Sequence, residues 1–303
     1  MLKKCLFFLF IVSFSSCSDN AADDVFQGQV SLIPDSNFER LLINQGIDSD
    51  GILNGQVLES DILKVVYLPL ANSNISDLSG IENFVNLKKL DCFNNQITNL
   101  DLSQNIALKE LNCRYNLLTS LDVSKNTELT SLLCAGNNIT NLNVNKNKAL
   151  STLGCSSNQI TSLDVNQNTA LTQLYCSDNK LTNLNVGQNT KLIELFFWNN
   201  KLTNIDVSLN KALKELYCYG NLIKNLNLSQ NSGLTTLSCG DNQLMTLNVK
   251  NGNNLILKSF DAIGNMDLQC IQVDDDVAAN NNNSPYNSWT KGANVKYSKN
   301  CTN

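Results

Sequence analysis

The chain repeats itself every 21 residues. Leu87, Leu108, Leu129, Leu150, Leu171, Leu192, Leu213 and Leu234 each open a copy, with no slip between them. A 22-residue copy starting at Val65 precedes them, and two extra residues near Gly252 shift a truncated last copy onto Leu257, Phe260, Ala262 and Asn265. A unit this short cannot bury its own apolar face and must stack on its neighbours around one continuous core. The pattern therefore predicts a single solenoid of ten coils over residues 65–268, although 303 residues would otherwise suggest two domains at roughly 150 residues each.

Each unit has two halves. In Leu171-x-x-Leu174-x-Cys176-x-x-Asn179, alternation turns Leu174 and Cys176 inward and Gln173, Tyr175 and Ser177 outward, as in a short strand. The Asn column at 95, 116, 137, 158, 179, 200, 221, 242 and 265 supplies amides that satisfy backbone groups where the chain leaves that strand. The second half, Leu181-Thr-x-Leu184-x-Val186-x-x-Asn189, is too short, too β-branched and too rich in Asn for a helix. A second short strand or extended segment is expected on the convex side, turned by the Asn column from 105 to 231. The fold class is mainly β, about 48 Å long at about 4.8 Å per coil, with almost no helix outside an N-terminal cap.

Residues 31–64 read as that cap. A helix starts near Asp35 or Ser36 with Phe38, Leu41 and Leu42 on one face, Asp48-Ser-Asp50-Gly51 and Asn54-Gly55 read as turns, and Val57 to Leu63 reads as a second helical turn. Asp48, Asp50 and Asn54 invite a calcium reading, but Ile52 stands where an EF-hand loop needs an oxygen and Gly51 is misplaced, so plain turns are expected. Residues 269–303 form a second cap, in which Asp274 to Pro285 reads as a polar, solvated loop rather than a metal site.

The cysteines sort by position. Cys92, Cys113, Cys134, Cys155, Cys176, Cys218 and Cys239 share one inward slot, with Phe197 standing in once. They read as small buried hydrophobes with free thiols rather than as a metal or redox ladder. Cys270 and Cys301 lie outside the ladder and read as a disulfide closing the second cap.

The 21-residue unit with nested halves and Cys in its ladder resembles the bacterial leucine-rich repeats of the IRREKO type. The segment from Ile33-Pro34-Asp35 to Ile81-Glu82 is similar to internalin-like entrance caps, and Leu268-Gln-Cys270-Ile271 with Trp289 and Cys301 is similar to the C-terminal caps of flavobacterial surface repeat proteins. Residues 1–16, with Lys3-Lys4, an apolar run from Cys5 to Val12 and Phe14, and Ser15-Ser16 before Cys17, resemble a bacterial lipoprotein signal. That resemblance implies lipidation of Cys17. Residues 17–30, acidic at Asp19, Asp23 and Asp24, then resemble the tether that carries Bacteroidetes-type lipoproteins to the cell-surface side of the outer membrane. An ordinary cleaved signal followed by a flexible linker is the alternative. The family implies recognition of macromolecules and names no ligand.

Charge and composition narrow the function. A net charge of −5 disfavours nucleic acid as a partner, and the absence of histidine removes His-based catalysis and metal binding. No insertion breaks the repeat to build a deep pocket, so neither an enzyme nor a cofactor is expected. The outward strand positions are uneven. Three consecutive coils supply Tyr175, Phe196, Trp198, Tyr217 and Tyr219 with Glu194 and Glu215, where the neighbouring coils offer Ser, Thr, Gly and Asn. Folding does not require large aromatics there, and contiguous apolar patches mark interaction sites. These seven residues are the candidate binding site for a protein or polysaccharide ligand. Two alternatives stand beside it: cross-strand stacking that only stabilises the sheet, and a structural spacer of the cell envelope with no specific ligand.

Overall fold

A computed structural model describes residues 28–301; the signal, Cys17 and the tether as far as residue 27 lie outside the described residues. Ten parallel strands of three residues each, from Tyr67–Pro69 to Ser259–Asp261, form one sheet in chain order. Each strand pairs in register with the equivalent strand of the next coil, as Leu174 does with Leu153 and Leu195. The ten coils expected from the repeat are thus observed. One buried cluster runs from Ile33 in the first cap to Tyr297 in the second, which makes the described residues a single domain.

Three-residue strands need help at their ends, and the asparagine ladder gives it. Asn179 Nδ2 donates to the carbonyls of Cys155, Cys176 and Ser177 at 3.0, 3.2 and 3.0 Å, and its Oδ1 accepts from Ile160 N at 2.9 Å. One buried amide therefore closes its own turn and fastens the previous coil. The pattern recurs at Asn95, Asn116, Asn137, Asn158, Asn200, Asn221, Asn242 and Asn265. The second column works differently. Asn168 Nδ2 reaches the carbonyls of Val144 and Asn147 at 2.9 and 2.8 Å, while its Oδ1 is buried without a protein partner, as in Asn105, Asn126, Asn147, Asn189, Asn210 and Asn231.

The convex side is extended or strand, as expected, and the structure divides the two forms along the chain. A paired second strand occurs only toward the C-terminal end, where Asn225–Asn227, Thr246–Asn248, Cys270–Gln272 and Lys296–Ser298 form a four-stranded parallel sheet. In the earlier coils this half is extended and held by single backbone bonds such as Lys180 N to the Ile160 carbonyl, 2.9 Å, and by the Asn columns. The side chains hold what a backbone ladder holds elsewhere.

In the N-terminal cap, Asp35 caps the helix Ser36–Asn44, accepting from Asn37 N and Phe38 N, and Phe38 and Leu42 are buried against the first coil, as the pattern predicts. Two boundaries differ. Val30–Leu32 is a strand antiparallel to Gln56–Leu58, so the cap takes in the last residues of the expected tether, and only Glu59–Ile62 of the expected second helix is helical. Strand pairing wins over Val57–Leu58 because Val57 points into the core while Gln56 faces solvent. The Asp48–Asn54 turn is held from within: Asp50 accepts from Ile52 N and Asn54 Nδ2 at 2.7 and 3.0 Å, and Glu39 Oε1 accepts from Asn54 N and Gly55 N. The C-terminal loop is also more ordered than its composition suggests. Asp275 caps a helical turn at Asp276–Asn280, and Asp274 accepts from Gly252 N and Asn254 N.

Seven ladder cysteines are fully buried free thiols, and Cys270 is bonded to Cys301 across a sequence separation of 31. Burial raises every ladder thiol, Cys92, Cys155 and Cys218 to about 12, so the nucleophilic thiolate is suppressed.

Three outcomes follow from this architecture. Asn179→Ala leaves the buried Ile160 N–H unpaired and takes one donor from each of three carbonyls, and should cost about 2 kcal/mol of stability by denaturant unfolding, more than substitution of any exposed convex residue. A chain beginning at Gly28, unfolded without reductant, should titrate seven thiols, whereas one or none would mean an oxidised ladder. Asp48 is buried, neither of its carboxylate oxygens has a hydrogen-bond partner, and burial followed by the neighbouring Asp50 charge raises its pKa from 3.8 to about 6. A carboxyl raised on folding contributes stability below its unfolded pKa near 3.8 that is lost as pH rises through about 6. Asp48→Asn should therefore raise the melting temperature at neutral pH, with the gain shrinking as pH falls toward 3.8; a gain independent of pH would rule out ionisation as its cause.

Candidate binding surface on the concave sheet

The strands Gln173–Tyr175, Glu194–Phe196 and Glu215–Tyr217 are neighbours in register, so that Tyr175, Phe196 and Tyr217 form one row and Gln173, Glu194 and Glu215 another. Trp198 and Tyr219 lie two residues further along, where the chain leaves the strand. The structure brings all seven expected residues onto one surface. Phe196 is the hub: its ring centroid lies 4.9 Å from Tyr175, 4.6 Å edge-on from Tyr217 and 5.9 Å from Trp198. Trp198 stacks on Tyr219 at 5.6 Å with a 4° interplanar angle. All five rings are partly exposed and cover one another.

Polar contacts fix several of them. The Tyr175 hydroxyl donates to Glu194 Oε2, Gln173 Nε2 donates to Glu194 Oε1 at 3.2 Å, and Thr152 Oγ1 donates to Gln173 at 2.9 Å. Trp198 Nε1 donates to Asp178 Oδ2 at 3.2 Å, and Asn199 Nδ2 donates to Asp178 Oδ1 at 2.8 Å. Burial first, then the contact with Glu194 and the charge of Glu215, push the Tyr175 phenol well above its ordinary value; Tyr217 is raised by burial and Glu215, and Tyr219 by burial and Asp178.

The charges on this row are not arranged alike along the sheet. At the N-terminal end Lys89 pairs in register with Glu110 and makes an ion pair of 2.9 Å. Within the aromatic patch Glu194 pairs in register with Glu215, and neither takes part in any ion pair among the described residues.

Two features escaped the sequence reading. Asp178 belongs to a column in the left-handed region, with Asn94, Tyr115, Ser157, Asn199 and Asp241, and Gly136, Gly220 and Gly264 in the same slot. Its enrichment in Asn, Asp and Gly is the available signal. At Gly220 an added Cβ would lie 2.3 Å from the Asn199 amide oxygen and would displace that side chain. From the same column Tyr115 packs edge-on against Phe93 at 5.5 Å, with the Arg114 guanidinium 5.4 Å from the Phe93 ring centre. This smaller aromatic group lies nearer the N-terminal end of the concave face. A groove of about 410 Å³ lies elsewhere, on the convex side beside the Cys270–Cys301 bridge, lined by Asn225, Asn227, Asn248 and Gln272 amides with Asp206 its one charged residue.

A parallel sheet built one strand per coil, turned by buried asparagines and closed by two caps, makes this chain a leucine-rich-repeat protein. Among solved structures it is similar to the functional domain of InlJ from Listeria monocytogenes, described as including a cysteine ladder, at 29% identity over 89% of this chain and 72% of that one, TM-score 0.52. Internalin C2 from Listeria monocytogenes (22% identity, 70% and 87% covered, TM-score 0.54) and a leucine-rich-repeat protein of Leptospira interrogans (20%, 78% and 73%, TM-score 0.54) share the fold. No protein-family model matches the chain, and no curated protein matches it.

Because each ring pair contributes only about 0.5–1.5 kcal/mol beyond its area burial, removing Tyr217, a partly exposed ring, should be mild. Tyr217 makes two such pairs, with Phe196 and Trp198, so Tyr217→Ala is expected to lower stability by roughly 1–3 kcal/mol; a loss above about 4 kcal/mol would make the patch part of the architecture.

Proposed function

We propose that the chain is a surface-anchored binding protein whose concave sheet takes a macromolecular ligand, protein or glycan, at the aromatic patch. One observation carries the reading: five large aromatic rings gather at solvent-facing positions of three coils whose fold is already held from within by leucines and asparagines. Concave surfaces are what solenoids use for binding, and Tyr and Trp are the residues most enriched in binding hot spots. Tyr175 donates to Glu194, but burial and that carboxylate hold its phenol well above the ordinary value, so binding rather than catalysis is the reading the arrangement supports. The rings also pack on one another across the strands, which favours the competing reading of a spacer whose aromatics serve the sheet alone.

Pull-down with the chain from Gly28 onward, against cell-surface protein and against polysaccharide, separates these readings. A ligand captured by the parent and lost in Trp198→Ala with Tyr217→Ala, in a variant that still unfolds cooperatively well above the assay temperature, supports the binding surface. Retained capture together with a stability loss of several kcal/mol would make the patch architectural. Anchoring through Cys17 is part of the same proposal. Several acyl chains hold a protein on a membrane where one does so marginally, so Cys17→Ser should leave the membrane fraction; a wild-type amount there would overturn the anchor.

A further inference from the structure

We infer that the patch recognises a cationic segment of a protein, presenting arginine or lysine to the Glu194–Glu215 pair; the inference rests on the concave-face reading above and names the chemistry of its partner. Like charges placed directly opposite on adjacent strands destabilise a sheet, and strands in a sheet lie about 4.8 Å apart. Glu194 and Glu215 nevertheless hold the same register position on neighbouring strands. The same row shows the alternative, since Lys89 and Glu110 occupy its N-terminal end as an ion pair of 2.9 Å. None of the ion pairs among the described residues involves Glu194, Glu215 or Asp178. Tyr175 and Gln173 donate to Glu194, which orients one carboxylate without neutralising either.

A positive group seated between the two carboxylates would relieve their repulsion. Beside them stand the rings of Phe196 and Tyr217, whose faces attract cations. A guanidinium fits both demands, because its planar fork bonds two carboxylates while its face stacks on an aromatic ring. A neutral sugar could stack on the rings but would leave the paired carboxylates as they are. Asp178, beside Trp198 and Tyr219, extends the negative field along the patch, so a segment with more than one basic residue suits it better than a single cation.

The experiment uses hexaarginine, hexalysine, hexaglutamate and the neutral oligosaccharide maltohexaose as probes, with tryptophan fluorescence of the chain from Gly28 as the readout. Hexaarginine should change the emission, the change should vanish in Trp198→Phe, and affinity should fall roughly tenfold or more in Glu194→Gln with Glu215→Gln and again on raising salt. The double glutamine variant should stay folded and melt close to the parent, because losing the like-charge pair offsets the weaker bonds from Tyr175 and Gln173 to residue 194. Equal hexaarginine binding by parent and double variant, or binding that survives Trp198→Phe unchanged in signal, would assign the effect to the acidic surface at large and overturn the inference. A response to maltohexaose and none to hexaarginine would overturn the cationic partner while leaving the concave binding surface standing. No response to any probe would also overturn it, and the pull-down with the Trp198 and Tyr217 variant would then judge the binding surface separately.

Discussion

The buried asparagine at the end of each concave strand is the interaction on which the coil depends. A strand of three residues makes too few backbone bonds to hold a sheet by itself, and the chain must turn while still inside the protein, where an unpaired carbonyl or amide costs about 1–3 kcal/mol. Asn179 answers both needs: its amide group donates to carbonyls of two coils, and its oxygen accepts an N–H from the convex half of the preceding coil. No shorter or purely accepting side chain could do so. Aspartate would bring two acceptors to a site crowded with carbonyl oxygens, and alanine would leave the Ile160 N–H without its acceptor and each of the three carbonyls with one donor fewer. The inward leucines and cysteines then fill what the ladder encloses.

Because stability comes from the inward and turning positions, the outward residues of the concave strands are free to vary without unmaking the fold. That freedom is used unevenly. Ser, Thr and Gly occupy the fifth and ninth coils, whereas the sixth to eighth bring together five rings and three carboxylates. The aromatic row sits on a rigid, parallel frame, so its geometry is set before any ligand arrives, which lowers the ordering cost of binding. The two caps keep the frame closed at its ends. Asp35 links helix and first coil by accepting from Phe38 N and Ser76 N, and Trp289 stacks on Phe260 while donating to the Leu257 carbonyl at 2.8 Å.

Much of this was legible in the chain because the repeat writes each contact many times. Leu174 and Cys176 face inward by simple alternation, and the Asn columns announce turns. The convex sheet was not legible in the same way. Leu184 and Leu226 occupy equivalent positions, yet only Leu226 lies in a paired strand, because pairing there depends on the C-terminal cap adding Cys270–Gln272 and Lys296–Ser298 to the stack. Val57 misled for a related reason: a short apolar stretch suits helix or strand, and its antiparallel partner Ser31 lies 26 positions earlier in the chain.

The sequence alone determined the number of coils, the inward and outward faces, the free and bridged cysteines and the membership of the aromatic patch. All but the bridge follow from periodicity, a one-dimensional property, and the bridge joins the two cysteines that fall outside it. Only the tertiary structure decided which groups touch: that Asp178, set in a left-handed turn, holds the Trp198 indole, that Tyr115 meets Phe93, and that no lysine or arginine among the described residues reaches Glu194 or Glu215. Those relations depend on backbone conformation at the turn and on where each side chain reaches, and neither is written in the repeat length.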